Sequence, residues 1–324
     1  MTDSRVAELV EAARAGRVRA IARLISLVEN NAPELPEVLR LLAPHTGRAH
    51  VIGLTGSPGV GKSTTTTALV AAYRGQGLKV GVLAVDPSSP FSGGAVLGDR
   101  VRMQKHSTDS GVYIRSMASR GHLGGLSTAA PQALRVFDLA GFDVVLVETV
   151  GVGQSEVEIA GTADTTLVLL APGMGDGIQA AKAGILEIGD LFVVNKADRD
   201  GAQNLVRELR TMIAMAERTP EDWKPPIVRT VASAGEGIDE LVEKIAAHRA
   251  HGEETGRLAE RRLARSRDEI QQLALASVRA SFLAGGRRGL DELAAQVRDG
   301  SLDPYAAADR LLAEVGADQV EITS

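Results

Sequence analysis

The 324-residue chain contains no cysteine. That absence excludes disulfides, zinc–thiolate sites and cysteine nucleophiles. Aromatic residues are scarce: one Trp, three Tyr and five Phe. The core must therefore come from Val, Leu, Ile and Ala, which suits buried parallel strands and Ala-rich helices. No apolar run approaches the roughly 20 residues of a membrane helix. The opening MTDSRVAELVEAARAG mixes charges and has no apolar stretch, so a secretory signal is not expected there. Positive charge is not in excess either. The net charge of −5 argues against a general nucleic-acid binder. A cytoplasmic protein with no nucleic-acid and no membrane partner is the expectation. What is present is ordinary for a globular chain, 44% hydrophobic and 24% charged residues.

Three sections follow from the patterning. Residues 1–46 read as a helical N-terminal extension, with Val6, Leu9, Val10 and Ala13 on one face and Ile21, Leu24, Ile25 and Val28 on another. In NNAPELPEVLRLL, Asn31 is expected to cap a helix whose first turn holds Pro33. Residues 47–252 alternate short Val/Ile/Leu runs (HVIGLT, KVGVLAV, FDVVLVET, TTLVLLA, LFVVNK, PIVRTVA) with helix-like segments. This pattern predicts an α/β domain, a mostly parallel sheet with helices on both faces. The gap from Asp86 to Phe142 is rich in Gly and Pro and reads as a long functional loop. Residues 253–324 lose the strand pattern and read as amphipathic helices broken at Gly285–Gly286 and Gly300. They form either a cap on the sheet or an arm that pairs with a second copy.

The stretch GSPGVGKST, Gly56 to Thr64, matches G-x-x-x-x-G-K-[ST] between a strand and a helix. Backbone N–H groups from Gly56, Ser57, Pro58–Gly59–Val60–Gly61, Lys62, Ser63 and Thr64 line such a loop, Pro58 lending only its fixed φ. They can wrap a β-phosphate at the positive end of the following helix. Lys62 can bridge β- and γ-phosphates, and Ser63 can hold Mg²⁺. Further on, Asn195-Lys196-Ala197-Asp198 follows the run LFVVNK. A carboxylate at Asp198 can accept from guanine N1–H and the 2-amino group. Adenine has no donor at those positions and would leave Asp198 unpaired, which is costly in a desolvated pocket. Asn195 and Lys196 shape the base pocket, and an N–H from Ser233-Ala234-Gly235 could meet guanine O6. The expected ligands are therefore GTP or GDP with Mg²⁺.

Acidic residues at strand ends complete the expected set. Asp86 and Glu148 would lie at the carboxyl edge of a parallel sheet, where ligands bind in such folds. Glu148 to Gly151 has the spacing of the D-x-x-G loop of GTPases, with Glu for Asp. The carboxylate would reach Mg²⁺ through a water, and the Gly151 N–H would sense the γ-phosphate. Asp99 lies where a switch could close on metal and phosphate. The expected catalytic residues are Lys62, Asp86, Asp99 and Glu148, and the expected metal residues Ser63, Asp86, Asp99 and Glu148. Gln154 could orient water, though its offset is unusual. The six histidines (His45, His50, His106, His122, His248, His251) read as solvated or capping, and the Arg-rich stretch RLAERRLARSR reads as a solvated helix face. Trp223 is expected to pin a loop onto the domain.

Six stretches together resemble the MeaB/ArgK group of G-proteins associated with cobalamin-dependent methylmalonyl-CoA mutase. They are GSPGVGKST, DPSSPFSGGAVLGDR, YIRSMASRGHLGG, VETVGVGQSE, APGMGDGIQAAKAGILEI and VNKAD. The likeness spans nearly the whole chain. It implies a P-loop NTPase fold of the signal-recognition and MinD-like GTPase class, with a homodimer joined through the C-terminal arm. It also implies a chaperone whose GTP hydrolysis gates cobalamin loading into methylmalonyl-CoA mutase and protects that enzyme. The segment from about Gly173 to Glu187 would be the element coupled to the mutase. Two alternatives share the fold class: a nickel-insertion GTPase, for which Cys/His metal motifs are missing, and a GTPase serving another client enzyme.

Overall fold

The computed structural model describes residues 3–87, 108–119, 129–149, 155–173, 186–216, 219, 221–284 and 287–321. The chain forms two compact units, residues 1–265 and 266–324.

The first unit is built on a seven-stranded sheet. Its strands are β1 (His50–Thr55), β2 (Val80–Pro87), β3 (Val112–Ser119), β4 (Val144–Thr149), β5 (Thr165–Leu170), β6 (Leu191–Asn195) and β7 (Ile227–Thr230). Their order is β3-β2-β4-β1-β5-β6-β7, and every pairing is parallel. Six strands were expected, and the seventh, β3, lies inside the stretch read as one long loop. That stretch also holds helix α5 (Ala129–Leu139). The strand VYIRSMAS escapes a hydrophobic-run reading because it sits at the sheet edge, where Val112 to Ser116 are only half-buried. An edge strand needs no continuous apolar run.

Alternation along the strands divides the core. Val51, Val145 and Val147 face one side, where α1 (Asp3–Arg14), α2 (Val18–Glu29), α3 (Leu35–Leu42) and α5 pack. Ile52, Leu54, Val144 and Leu146 face the other, against α4 (Lys62–Gly75) and the later helix Ile238–Glu254. The N-terminal helices thus belong to the sheet's own core. Three of the few aromatics, Tyr113, Phe137 and Phe142, cluster there with ring centroids 5.3 to 6.4 Å apart. Helix α6 (Ser155–Thr162) lies between β4 and β5, and α7 (Ala202–Met215) between β6 and β7. The helix after β7 is α8 (Ile238–Glu254).

Asn31 does not cap α3. Its φ is +46°, its N–H donates to Val28 O (3.1 Å), and the Ala32 N–H donates to Leu27 O (3.0 Å). These two bonds close the end of α2, with Asn31 as the left-handed residue that Asn tolerates. Helix α3 starts at Leu35 instead, with Pro36 in its first turn.

Helix α9 (Arg257–Ala284) begins in the first unit. The second unit carries the rest of it, α10 (Arg287–Asp299) and α11 (Pro304–Glu321). Helices α10 and α11 bury Leu293 and Ala307. Asp303 Oδ1 accepts from the N–H groups of Tyr305 (2.9 Å) and Ala306 (3.1 Å), an N-cap with Pro304 in the first helical position. Ile270, Leu275, Tyr305 and Leu312 of this unit are exposed. Among the described residues, no helix is long and apolar enough to cross a membrane.

Candidate nucleotide site

Strand β1 ends at Thr55 and α4 starts at Lys62, so the intervening loop lies at the carboxyl edge of the sheet. The loop is pressed between neighbours. Gly61 has φ +101°, and a Cβ there would run into the Asn195 side-chain amide. A Cβ on Gly56 would run into the backbone carbonyl of Leu169, next door on β5. Only glycine fits a left-handed backbone at such close approach. The result is a cradle of main-chain groups at a helix N-terminus, the shape an anionic phosphate chain requires. Lys62 is buried at its mouth, and its ammonium donates to Gly56 O (2.6 Å) and Ser57 O (3.2 Å).

Glu148, on β4 beside β1, faces the first turns of α4. Ser63 Oγ donates to Glu148 Oε1 (2.6 Å), and Thr66 Oγ1 lies 3.0 Å from Glu148 Oε2. The carboxylate is only 5% exposed. A serine hydroxyl and a carboxylate side by side are hard oxygen donors. They fit Mg²⁺, which takes one or two protein oxygens and fills its octahedron with phosphate and water. Asp86 sits on β2 with its backbone in register with Ala118. Its side chain lies outside the described residues, as do Asp99, Gly151, Gln154 and most of the segment from Gly173 to Glu187.

The base-reading segment meets the same loop from the other side. Asn195 ends β6 and is 3% exposed. Its Nδ2 donates to Val60 O (2.8 Å), and its Oδ1 accepts from Thr230 Oγ1 (3.1 Å) and the Ala232 N–H (3.1 Å). Lys196, at φ +56°, donates from Nζ to Gly59 O (2.6 Å). One asparagine and one lysine therefore tie the phosphate loop to β6 and to the turn after β7. Asp198 follows with its side chain exposed. Ser233, Ala234 and Gly235 form that turn. The Ala234 N–H donates to Val231 O (2.9 Å) and the Gly235 N–H more weakly to Ala232 O (3.4 Å).

A cavity of about 620 Å³ lies elsewhere, at the amino edge of the sheet. Sequence reasoning missed its residues. His50 and His248 are buried, against the expectation of solvated or capping histidines. His248 Nε2 lies 3.2 Å from Asp190 Oδ1, His248 Nδ1 2.8 Å from Thr165 Oγ1, and His50 Nε2 2.9 Å from the same hydroxyl. The Asp190 carboxylate only accepts, so it places a proton on His248 Nε2, and the Thr165 hydroxyl bridges the two imidazoles. Burial drives the His50 pKa down to about 4, against the pull of Asp164.

The Arg-rich face is not solvated either. Arg261 grips Asp190 with two bonds (2.7 and 2.9 Å), while Arg262 (2.8 Å) and Arg265 (2.9 Å) both reach Asp164. Burial raises both carboxyls, but the basic partners outweigh it: Arg262 and Arg265 hold Asp164, and His248 and Arg261 hold Asp190, at about 2. Trp223 does pin its loop, donating to Asp190 O (2.8 Å) and standing edge-on to His248. The charged groups here chiefly satisfy one another and fasten the root of α9 to β5 and β6. Their only sequence signal was an acid directly before each strand, in TADTTLVLL and IGDLFVVN.

The family described as methylmalonyl-CoA mutase-associated GTPase MeaB matches residues 21–287. A relative from Pyrococcus horikoshii is 48% identical over 310 residues, 95% of this chain and 98% of its own. The mouse mitochondrial protein named methylmalonic aciduria type A homolog is 35% identical over 319 residues, 92% of this chain and 76% of its own. The crystal structure of a LAO/AO transport system kinase superposes with a TM-score of 0.72 at 28% identity, covering 98% of this chain and 99% of that one. This chain is a P-loop GTPase and belongs to the MeaB family of methylmalonyl-CoA mutase-associated GTPases.

Proposed function

We propose that the protein is a GTP-driven switch for methylmalonyl-CoA mutase, gating cobalamin entry into that enzyme and protecting it. The observation that carries the switch is the double tie of Asn195 and Lys196 to Val60 and Gly59. It joins the segment that would read the base to the loop that would hold the phosphates. Asp198 selects guanine, with an N–H of Ser233-Ala234-Gly235 at O6. Lys62 leaves the Gly56 and Ser57 carbonyls for phosphate oxygens, and the loop N–H groups from Gly56 to Thr64 complete the cradle. Mg²⁺, when bound, neutralises charge developing on the phosphates during hydrolysis. Ser63 would hold it directly and Glu148 through a water, with Asp86 and Asp99 as further acids around it and the Gly151 N–H reporting the γ-phosphate.

The mutase assignment follows from the family description and from the name of the mouse relative. The segment from about Gly173 to Glu187 is proposed to carry the nucleotide state to the client. Exposed Ile270, Leu275, Tyr305 and Leu312 support a homodimer joined through the C-terminal helices. We place the protein in the cytoplasm.

Calorimetric titration with GDP and ADP tests the base assignment. GDP should bind at least about 10³-fold tighter, because a site that hydrogen-bonds the guanine edge rejects a base that leaves Asp198 unpaired. Asp198→Asn should move the preference to xanthosine diphosphate. Comparable GDP and ADP affinities would overturn the reading.

A further inference from the structure

Helix α4 opens with an unusual run, Ser63 followed by Thr64, Thr65, Thr66 and Thr67. β-Branched threonines are poor helix formers, so a run of four needs a reason beyond propensity. Thr67 has a local one, since its hydroxyl donates back to Ser63 O (2.9 Å). Thr66 differs. It is fully buried, and its Oγ1 lies 3.0 Å from two acceptors at once, Lys62 O and Glu148 Oε2.

A hydroxyl has one hydrogen to give. The Lys62 carbonyl already accepts the helix bond of its turn, whereas the carboxylate is charged and the stronger acceptor. The hydrogen therefore goes to Glu148. Ser63 donates to the other carboxylate oxygen at 2.6 Å. Residues three apart share a helix face, so one face of α4 holds both oxygens of Glu148, one hydroxyl each.

We propose that Thr66 is a positioning residue for GTP hydrolysis. It fixes the Glu148 carboxylate so that Oε1 stays beside Ser63, where the metal and its water would be held. Without Thr66 the carboxylate loses the hydroxyl that holds Oε2, the oxygen away from Ser63. The inference rests on the proposed place of Glu148 in the metal shell. Thr66 acts through Glu148 and touches no nucleotide.

The test is a Mg²⁺ titration of the binding of a fluorescent non-hydrolysable GTP analogue, alongside steady-state turnover. Thr66→Val should raise the Mg²⁺ concentration at half-effect about tenfold and lower kcat by a similar factor, as loss of an outer-shell partner commonly does. GDP affinity in EDTA, and the KM for GTP at saturating Mg²⁺, should change less than about twofold, since the metal is absent from the one and fully bound in the other. Thr66→Ser should restore both properties. A packing role predicts the reverse ranking, because Val keeps the shape of Thr and Ser does not. Thr66→Ala serves in place of Val if that variant does not fold. A Mg²⁺ midpoint unchanged in the Val and Ala variants, while Glu148→Ala shifts it, overturns the role of Thr66 alone. A midpoint unchanged in Glu148→Ala as well overturns the metal assignment together with it.

Discussion

Replacing Asn195 by Ala should both destabilise the fold and weaken nucleotide binding, and the structure sets the size of each effect. The side chain makes three hydrogen bonds, to Val60 O, Thr230 Oγ1 and the Ala232 N–H. All three partner residues are buried, Val60 at 2%, Thr230 at 1% and Ala232 at 6% exposure. Three neutral bonds at about 1 kcal/mol each give about 3 kcal/mol, and a buried group left unpaired adds about 1–3 kcal/mol. A loss of about 4–6 kcal/mol is therefore expected, a large part of the roughly 5–15 kcal/mol that holds a domain together. Thr230→Val removes only one of the three bonds and should cost about 1 kcal/mol. Because Asn195 also holds the phosphate loop against β6, GDP affinity should fall about 100-fold in Asn195→Ala, equivalent to about 2.7 kcal/mol of lost preorganisation. Urea denaturation of the nucleotide-free protein and calorimetric titration with GDP read the two effects separately. A stability loss below about 1 kcal/mol with GDP affinity within threefold would show that the double tie does not organise the site.

Three further outcomes are expected. Asp164→Asn leaves Arg262 and Arg265 without their carboxylate in a largely buried place, and should cost about 3–5 kcal/mol, read by the same denaturation. His50 is buried neutral; the unfolded chain takes up its proton near 6.5 and the folded chain only near 4. Protonation then favours the unfolded state across that interval, and stability should fall by about 3 kcal/mol as pH drops from 6.5 to 4, a loss absent in His50→Gln. Lys62→Ala should impair GDP binding and turnover, whereas Glu148→Ala should slow hydrolysis by at least about tenfold with a smaller effect on GDP affinity; equal turnover of Glu148→Ala and the parent would displace the site.

Much of this was legible in the sequence because the relevant signals are local. A strand, a glycine loop and a lysine-headed helix announce the phosphate cradle within a few residues, and six of seven strands stand out as continuous Val/Ile/Leu runs. The edge strand β3 did not, because Arg115 and Ser116 interrupt its apolar pattern. The network at the amino edge was illegible for another reason. Arg262 and Asp164 are 98 residues apart, Arg261 and Asp190 71. Nothing near an arginine in RLAERRLARSR says that an acid waits beyond two strands, so a charged helix face reads as solvated until the fold folds it inward. Asn31 failed more subtly: the same residue type starts helices with its side chain and ends them with a left-handed backbone. Thr66 shows the limit of motif reading, since its partner Glu148 lies 82 positions away.

The proposed switch couples nucleotide state to client binding. The direct measurement is the affinity of the full-length protein for methylmalonyl-CoA mutase when loaded with GDP and with a non-hydrolysable GTP analogue, paired with GTP turnover with and without the mutase. Different affinities for the two loaded forms are expected, with a matching change in nucleotide affinity when the mutase is present, as linkage requires, and faster turnover with the client bound. Equal mutase affinity in both nucleotide states, together with turnover unmoved by the mutase, would contradict the coupling.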